Sequence, residues 1–336
     1  ARVGGAADPA LAVSTSLLDG DAAEHLVIGG GISGITCAAV LRDAGRPVVV
    51  RDRGHRLGGR MAVRTVEGRP IDIGAAYFTV THPLFREVVE RWADLELVRP
   101  WTDTFHVGAP DGLIGTRTGP MRYAATLGLR SLVEELASGL PVTLHDEVHD
   151  VGPGPVVDGV PYTSVALAVP GPQALDLLAE SLVAERVASD GLWEPCIAVV
   201  ATFADRSWPE LDGVFVNDSP VLTFIADDGR RRGDDAPVLV AHVHPLLSAA
   251  HLDDPDAVVA PALEELASVL SVPLHPSSVV AKRWSLAKPL NPRPEPFWLG
   301  SERIGLCGDR WHGPSRIESA YLSGRALGRA LAQLGA

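Results

Sequence analysis

Apolar residues in this chain fall into short continuous runs and helical stripes, and their order already outlines a fold. The run HLVIGGG, starting at His25, is a short buried strand that enters a glycine turn. ISGITCAAVLRDAG then has helical spacing. Gly45 stands where a left-handed residue ends a helix, and Pro47 prevents continuation. RPVVVRD is a second buried strand, so the opening reads strand, glycine turn, helix, strand, the unit of parallel sheets.

Further along, HPLFREVVERWADL presents Leu84, Val88 and Trp92 on one helical face, and RYAATLGLRSLVEELASGL predicts a second helix closed by Gly139 and Pro141. PVTLHDEVHDV alternates like a strand, and PGPVVDGVPY is a turn-rich connector. YTSVALAVP is an apolar strand and GPQALDLLAESL a helix. Between residues 193 and 245 the segments CIAVVATFA, GVFV, VLTFIA and VLVAHVH predict a largely antiparallel sheet. ALEELASVL is a helix, ERIGLCGD a strand, and a long helix from about Ile317 closes the chain. Parallel-type strands thus lie at both ends and near residue 165, with antiparallel ones between. That segregation predicts an α/β protein with a discontinuous first domain (24–75, 140–182 and 299–336). A second domain (76–139 and 183–298) is inserted into it, and a mobile tail covers 1–23.

Composition narrows the classes. Of 336 residues 46% are hydrophobic and 21% charged, which excludes a disordered chain. A formal net charge of −13 argues against a broad grip on nucleic acid or anionic membrane, while leaving room for a local basic pocket. Nearly all cations are Arg; the only lysines are Lys282 and Lys288. Cys37, Cys196 and Cys307 are far apart with no ligand spacing, so no metal site is expected and a reduced, cytoplasmic setting is. No apolar run reaches the roughly eighteen residues of a membrane span.

Candidate chemistry begins with Gly29-x-Gly31-x-x-Gly34, a pattern that gains weight from its place between strand and helix. Glycines let backbone amides approach a pyrophosphate, and the helix N-terminus carries partial positive charge. Asp52 closes the second strand, placed to accept from a ribose hydroxyl. Gly58-Gly59-Arg60 follows, glycines for backbone contact and a guanidinium for phosphate, which a large prosthetic group would need. Ser315-x-x-Glu318 has capping-box spacing, and Gly324 and Gly328, one turn apart, offer a smooth face for close packing. His242-x-His244 would put two rings on one strand face without a third ligand, so buried or edge histidines are expected. Arg230-Arg231-Arg232, in DDGRRRGDD, reads as a solvated hairpin loop.

The ordered blocks HLVIGGGISGITCAAVLRDAG, RLGGRM, IDIGAAYFTVTHPLF, SVALAVPGPQALDLL, EPCIAVVATF, KRWSLAKP and GLCGDRWHGPSRIESAYLSGRALGRAL resemble the flavin amine oxidase superfamily, and within it the renalase-like branch. The resemblance runs from about residue 24 to the C-terminus. It implies bound FAD in a glutathione-reductase-like FAD-binding domain, with an inserted mixed or antiparallel-sheet substrate domain. By that resemblance Gly29, Gly31, Ile32, Ser33, Gly34, Asp52, Arg53, Gly59 and Arg60 contact the cofactor. So do Gly74 and Ala75 near the flavin ring, Val148 at the adenine, and Gly308, Asp309 and Ile317 at the ribityl chain and pyrimidine. Without a family-type cysteinyl attachment motif, the FAD is expected to be non-covalent.

Trp284, Lys288, Tyr77 and Trp311 are the pocket-lining candidates, with Trp298 and His312 behind them. KRWSLAKP departs from the renalase-like pattern: Lys282 replaces a His, Leu286 an aromatic, and Lys288 is an extra cation that either holds a water or pairs with an acid. The expected activity removes a hydride from a C–H bond next to nitrogen in a small-molecule substrate, with dioxygen reduced to hydrogen peroxide. A dihydronicotinamide isomer is the first candidate substrate and a small amine the second. A desaturase or isomerase, or a flavin-binding protein without turnover, are the readings from other classes.

Overall fold

Backbone pairing divides the strands into two large sheets and two small ones. The computed structural model describes residues 25–66, 68–178 and 191–334; the tail expected over 1–23 lies outside them. The chain opens with β1 (His25–Ile28), α1 (Ile32–Asp43) and β2 (Val48–Asp52), then the hairpin of β3 (Val63–Val66) and β4 (Arg69–Asp72). Next come β5 (Phe78–Thr79), α2 (Pro83–Asp94) and a long hairpin of β6 (Val98–Ala109) and β7 (Gly112–Ala125). α3 (Arg130–Leu136) and β8 (Val142–Leu144) precede a small sheet of β9 (Val151–Gly152), β10 (Val156–Val157) and β11 (Val160–Pro161). β12 (Ser164–Leu167) and α4 (Gly171–Leu175) follow.

After residue 191 the chain forms β13 (Trp193–Thr202), β14 (Gly213–Val216), β15 (Leu222–Asp227), α5 (Asp228–Arg232) and β16 (Val238–Val243). It ends through α6 (Pro245–Ala250), α7 (Val259–Leu270), β17 (Ser278–Pro289), β18 (Trp298–Leu299), β19 (Ile304–Leu306) and α8 (Ile317–Ala332). The first sheet has the order β18-β19-β12-β1-β2-β8 and is parallel except for β18. The second has the order β17-β13-β16-β15-β14-β6-β7-β5, antiparallel except where β14 meets β6. Among the described residues, no helix is long and apolar enough to cross a membrane.

The opening unit forms because every residue of β1 is buried and α1 buries Ile35, Ala38 and Leu41 beneath it. Gly45 takes φ +70, and Arg46 N–H reaches back to Leu41 O, closing α1 as expected. The packing continues past residue 75. α2 and α3 contribute Phe85, Val88, Trp92, Leu132 and Val133 to the same core as α1 and α8. The second sheet has its own core, where Ala262, Leu266 and Val269 of α7 cover Ile197, Val199 and Ala241.

Several sequence expectations are corrected. RYAATLGLRSLVEELASGL is not one helix: Arg122–Ala125 completes β7, Gly128 at φ +88 breaks the chain direction, and only Arg130–Leu136 is helical. PVTLHDEVHDV is two short strands rather than one, interrupted by His145 at φ 55. The helix expected over GPQALDLLAESL ends at Leu175, and its last residues fall outside the described chain. The pair β6 and β7 and the edge strand β17 had no clear apolar rhythm. DDGRRRGDD is not a solvated loop either. It holds the helix α5, with Asp228 and Arg231 buried, because Asp72 and Asp228 sit among the guanidinium groups of Arg69, Arg231 and Arg232.

Gly324 and Gly328 do serve close packing. A Cβ on Gly324 would lie 2.0 Å from Ser33 O, and one on Gly328 2.7 Å from Cys37 O, so α8 rests on the backbone of α1. Helix propensity alone would make Gly324→Ala stabilising by about 1 kcal/mol. The clash is with backbone, which cannot rotate away, and overpacking of this kind costs about 1–3 kcal/mol. Gly324→Ala should therefore show a lower urea midpoint than the parent protein. A midpoint equal or higher would mean that the two helices are not in backbone contact.

Candidate functional site

A cavity of about 1490 Å3 opens between the two large sheets, larger than the roughly 300–1000 Å3 that suits one small ligand. Two helix N-termini face it. Gly31, Ile32 and Ser33 at the start of α1 line it, as do Arg316 and Ile317 at the start of α8. Neither N-cap residue, Gly31 or Arg316, receives a first-turn amide on its side chain. Both ends therefore present unsatisfied N–H groups and partial positive charge.

The three glycines of the first turn act differently. Gly29 has φ +114, and a Cβ there would meet Ala168 O at 2.8 Å. A Cβ on Gly31 would meet nothing within 4 Å and would only fill the cavity itself. Gly34 does not line the cavity; a Cβ on it would be 2.0 Å from Gly29 O, so it closes helix onto turn. Asp52, at the end of β2, accepts Gly30 N–H at 2.5 Å and Gly54 N–H at 2.6 Å, one on each carboxylate oxygen. A carboxylate oxygen has a second lone pair, so the group that braces the turn can still receive a ribose hydroxyl. Arg53 is exposed beside Glu147, and buried Val148 adds an apolar surface.

Arg60 does something the sequence did not indicate. Instead of standing free for a phosphate, its guanidinium grips Asp309 through two bonds of 2.8 and 2.6 Å and donates to Ala287 O at 3.1 Å. Ser315 Oγ donates to the same carboxylate at 2.6 Å. The capping-box expectation is thereby corrected: Ser315 serves Asp309, and Arg316 is the N-cap. Glu318 accepts from Thr81 N, Thr81 Oγ and His82 N across the fold. Apart from Gly34, every residue assigned to the dinucleotide lies on the cavity wall, including Gly59, Gly74, Ala75 and Gly308.

The deeper chamber is built on Gly74, where a Cβ would lie 2.0 Å from Arg60 O and 3.3 Å from the Trp284 ring. Trp284 Nε1 donates to Ile73 O at 2.6 Å, which fixes the indole beside it. Tyr77 stands at 5.4 Å from Phe105 and 6.0 Å from Phe224, ring centre to ring centre. Trp311 lines the cavity but is buried with Val148 and Leu306, largely as packing. Trp298 and His312 are outside this wall. Lys288 is at the rim, its side chain 62% exposed, and pairs with Glu194 at 3.8 Å. Lys282 stands over the Trp284 ring at 5.5 Å.

The two histidines part company. His242 is on β16, whereas His244 caps α6 by accepting Leu246 N–H. Both line the cavity, and no metal-binding group of three or more ligands exists among the described residues. Burial, reinforced by Arg231, lowers His242 from 6.5 to about 4 despite its bond to the Gly74 carbonyl, so it is neutral at pH 7. Burial pushes the thiols of Cys196 and Cys307 up to about 12, which keeps both protonated. The sequence reading passed over Arg122, Trp193 and Thr223, which also line the chamber. For Arg122 the missing signal was the strand β7, misread there as helix.

Comparison with known proteins agrees with this geometry. The NAD(P)-binding Rossmann-like domain family matches residues 27–92. Over 62 residues the chain is 45% identical to coproporphyrinogen III oxidase of Mycobacterium leprae (strain TN) and 42% identical to (S)-6-hydroxynicotine oxidase of Paenarthrobacter nicotinovorans. Those segments cover 18% of this chain but only 14% and 15% of the two relatives. Similarity to mouse (Mus musculus) renalase is longer, 23% identity over 325 residues, covering 84% of this chain and 91% of renalase. Among solved structures, a protoporphyrinogen-oxidase-type protein of Exiguobacterium sp. 255-15 superposes with a TM-score of 0.75 at 16% identity, covering 94% of this chain and all of that one. A redesigned putrescine oxidase reaches 0.73 at 15% identity over 92% of this chain and 98% of its own. The chain thus matches a Rossmann-like dinucleotide-binding family over residues 27–92 and shares its α/β fold with these oxidase structures.

His242 leads to a pH dependence. Folded, the ring resists protonation until about pH 4, while the unfolded chain takes up the proton near 6.5. Stability from this group is therefore present above pH 6.5 and is lost as the pH falls toward 4. Between pH 7 and pH 5 the parent protein should lose roughly 1–2 kcal/mol more than His242→Gln in urea unfolding. Equal losses in both proteins would place the ring in solvent.

Proposed function

We propose that the protein is an FAD-dependent oxidase that removes a hydride from a C–H bond next to nitrogen. The observation that carries this reading is the convergence of two uncapped helix N-termini on one cavity. A dinucleotide with a pyrophosphate in its middle and an electron-accepting ring at its end needs positive potential at both places. The residues fit that group. Amides of Gly31, Ile32 and Ser33 would hold the pyrophosphate, Asp52 the adenosine ribose and Val148 the adenine. Asp309, held by Arg60, would receive the ribityl hydroxyls, and the first turn of α8 at Ile317 would face the pyrimidine. When bound, FAD supplies the hydride acceptor and hands the electrons to dioxygen as hydrogen peroxide.

The chain's own contribution is placement and exclusion of water. Gly74 and Ala75 keep the wall thin where substrate must approach, and Trp284 and Tyr77 form apolar faces for a flat ring. No carboxylate with a free edge is needed in the chamber as a base, because the lone pair of the substrate nitrogen drives departure of the hydride. The substrate leaves as an iminium or pyridinium cation, having lost two electrons and one hydrogen. A dihydronicotinamide isomer satisfies these requirements. The long alignment with renalase and the short one with (S)-6-hydroxynicotine oxidase support nitrogen-adjacent chemistry. A small amine is the runner-up; Lys288, the residue that would favour it by holding a water, is engaged with Glu194 at the rim.

Purified protein should be yellow, and acid should release all of its FAD, since the Cys196 and Cys307 thiols stay protonated. Flavin that remains attached after denaturation would contradict non-covalent binding, and an absence of flavin under every condition would end the oxidase reading. Anaerobic mixing with a dihydronicotinamide isomer should bleach the yellow colour, and air should restore it with one peroxide per substrate. Lys288→Met should alter the bleaching rate by less than about twofold, under 0.4 kcal/mol in the barrier. Bleaching by simple amines alone, slowed tenfold or more in Lys288→Met, would favour the amine oxidase instead.

A further inference from the structure

Arg122 is 6% exposed, lines the cavity, and has no carboxylate within salt-bridge distance among the described residues. Its Nη1 donates to Asp103 O at 2.7 Å. The guanidinium carbon lies 3.9 Å from the centre of the Phe105 ring, 5.7 Å from that of Tyr77 and 5.9 Å from that of Phe215. Aromatic faces offset part of the cost of burying the charge. They accept no hydrogen bonds in the guanidinium plane, so most of its five N–H donors still lack a protein acceptor. None of those nitrogens is sealed inside the protein, so the unmatched donors open onto the cavity, where an acceptor can reach them.

Its position relates it to the reacting end of the cavity. Arg122 pairs across the sheet with Thr79, two residues beyond Tyr77. Tyr77, His242 and Gly74 line the same cavity as Arg122. Behind that wall the buried Phe224 ring lies 6.0 Å from Tyr77 and 5.6 Å from His242, whose bond to the Gly74 carbonyl ties this ring cluster to the thin wall where substrate approaches. Two other cations of this region are paired with carboxylates, Arg60 with Asp309 and Arg231 with Asp228.

We infer that Arg122 binds an anionic group, a carboxylate or a phosphate, carried by the substrate. This rests on the oxidase reading for the identity of the chamber, and it narrows the substrate to a flat nitrogen compound that bears an acidic group. A planar guanidinium held between ring faces presents a fixed fork to such an anion, which a lysine could not. The anion would supply the missing acceptors and fix which edge of the ring points toward Gly74.

The test uses FAD-loaded protein and three small probes of similar shape, benzoate, phenyl phosphate and neutral benzamide, titrated by calorimetry with the flavin spectrum recorded on the same samples. Benzoate or phenyl phosphate should bind at least tenfold more tightly than benzamide, and the tighter of the two names the group. Arg122→Gln should abolish that preference while leaving benzamide affinity within about twofold, and Arg122→Lys should retain part of it. Equal binding of all three probes by the parent protein overturns the inference without any variant having to fold. So does an undiminished anion preference in folded Arg122→Gln. Because the yellow absorbance reports bound FAD separately, failure of anion binding in fully loaded protein counts against Arg122 and not against the oxidase reading.

Discussion

The close approach of α8 to α1 is the constraint on which the rest of the structure depends. Gly324 lets the last helix touch Ser33 O, and Gly328 continues the contact one turn later at Cys37. Residues from opposite ends of the sequence thereby become neighbours, and both helices point their N-termini into one cavity. Each terminus is left without a side-chain cap, an arrangement that ordinarily costs about 1 kcal/mol per helix. Capping side chains would occupy the space and the potential that a bound anion requires. The Arg60–Asp309 pair then joins the glycine loop after β2 to the turn before α8, so the two helix ends are also tied through their loops.

A second fastening holds the eight-stranded sheet in register with that frame. Three guanidinium groups, on Arg69, Arg231 and Arg232, interleave with three carboxylates, on Asp72, Asp228 and Asp234. Asp72 belongs to β4 and also accepts Leu129 N–H at 2.7 Å, while Arg231 donates to Ala76 O at 2.9 Å. The cluster therefore fixes the backbone next to Tyr77 from behind. Burial lowers Arg231 to about 10, still well above neutrality, so its guanidinium remains charged at pH 7. Polar groups so deeply buried are weak evidence for stability and better evidence for a required geometry. Here the geometry concerned is the chamber wall.

What the sequence made legible were features with local causes. The strands β1, β2 and β12, the glycine turn and the termini of α1 follow from short-range apolar runs and backbone conformation. The glycine pair of α8 was legible because only close packing explains two glycines one turn apart. What escaped depended on distant partners. β7 is exposed over most of its length and so shows no alternation, although β6 pairs along it. Arg230–Arg232 looked solvated because the acid at position 72, which neutralises two of them, is remote in sequence. Ser315 and Glu318 had the spacing of a local cap, yet each found a stronger partner elsewhere, in Asp309 and in the backbone at Thr81 and His82. Arg60 was assigned to a phosphate on residue type alone, and only the folded chain shows it committed to a carboxylate.

Taken alone, a net charge of −13 opposes the binding of anions. Charges beyond about 10 Å are largely screened at physiological salt, so the sum matters less than the local pairing. Around the cavity several carboxylates are engaged: Asp52 with two backbone amides, Asp146 with Arg51, Asp309 with Arg60 and Glu194 with Lys288. Among the described residues, the donors without a carboxylate partner include the amides of two helix ends and the guanidinium of Arg122. An acidic protein can thus offer local sites for anions by pairing several cavity acids and leaving chosen donors open. The three sites differ in kind, fixed dipoles at the helix ends and a full charge at the substrate end, which matches a cofactor that must stay and a substrate that must leave. Backbone donors cost little to leave open at a helix terminus, whereas a buried full charge is destabilising until its partner arrives, so occupancy at Arg122 is where binding energy can be used to orient a transient ligand.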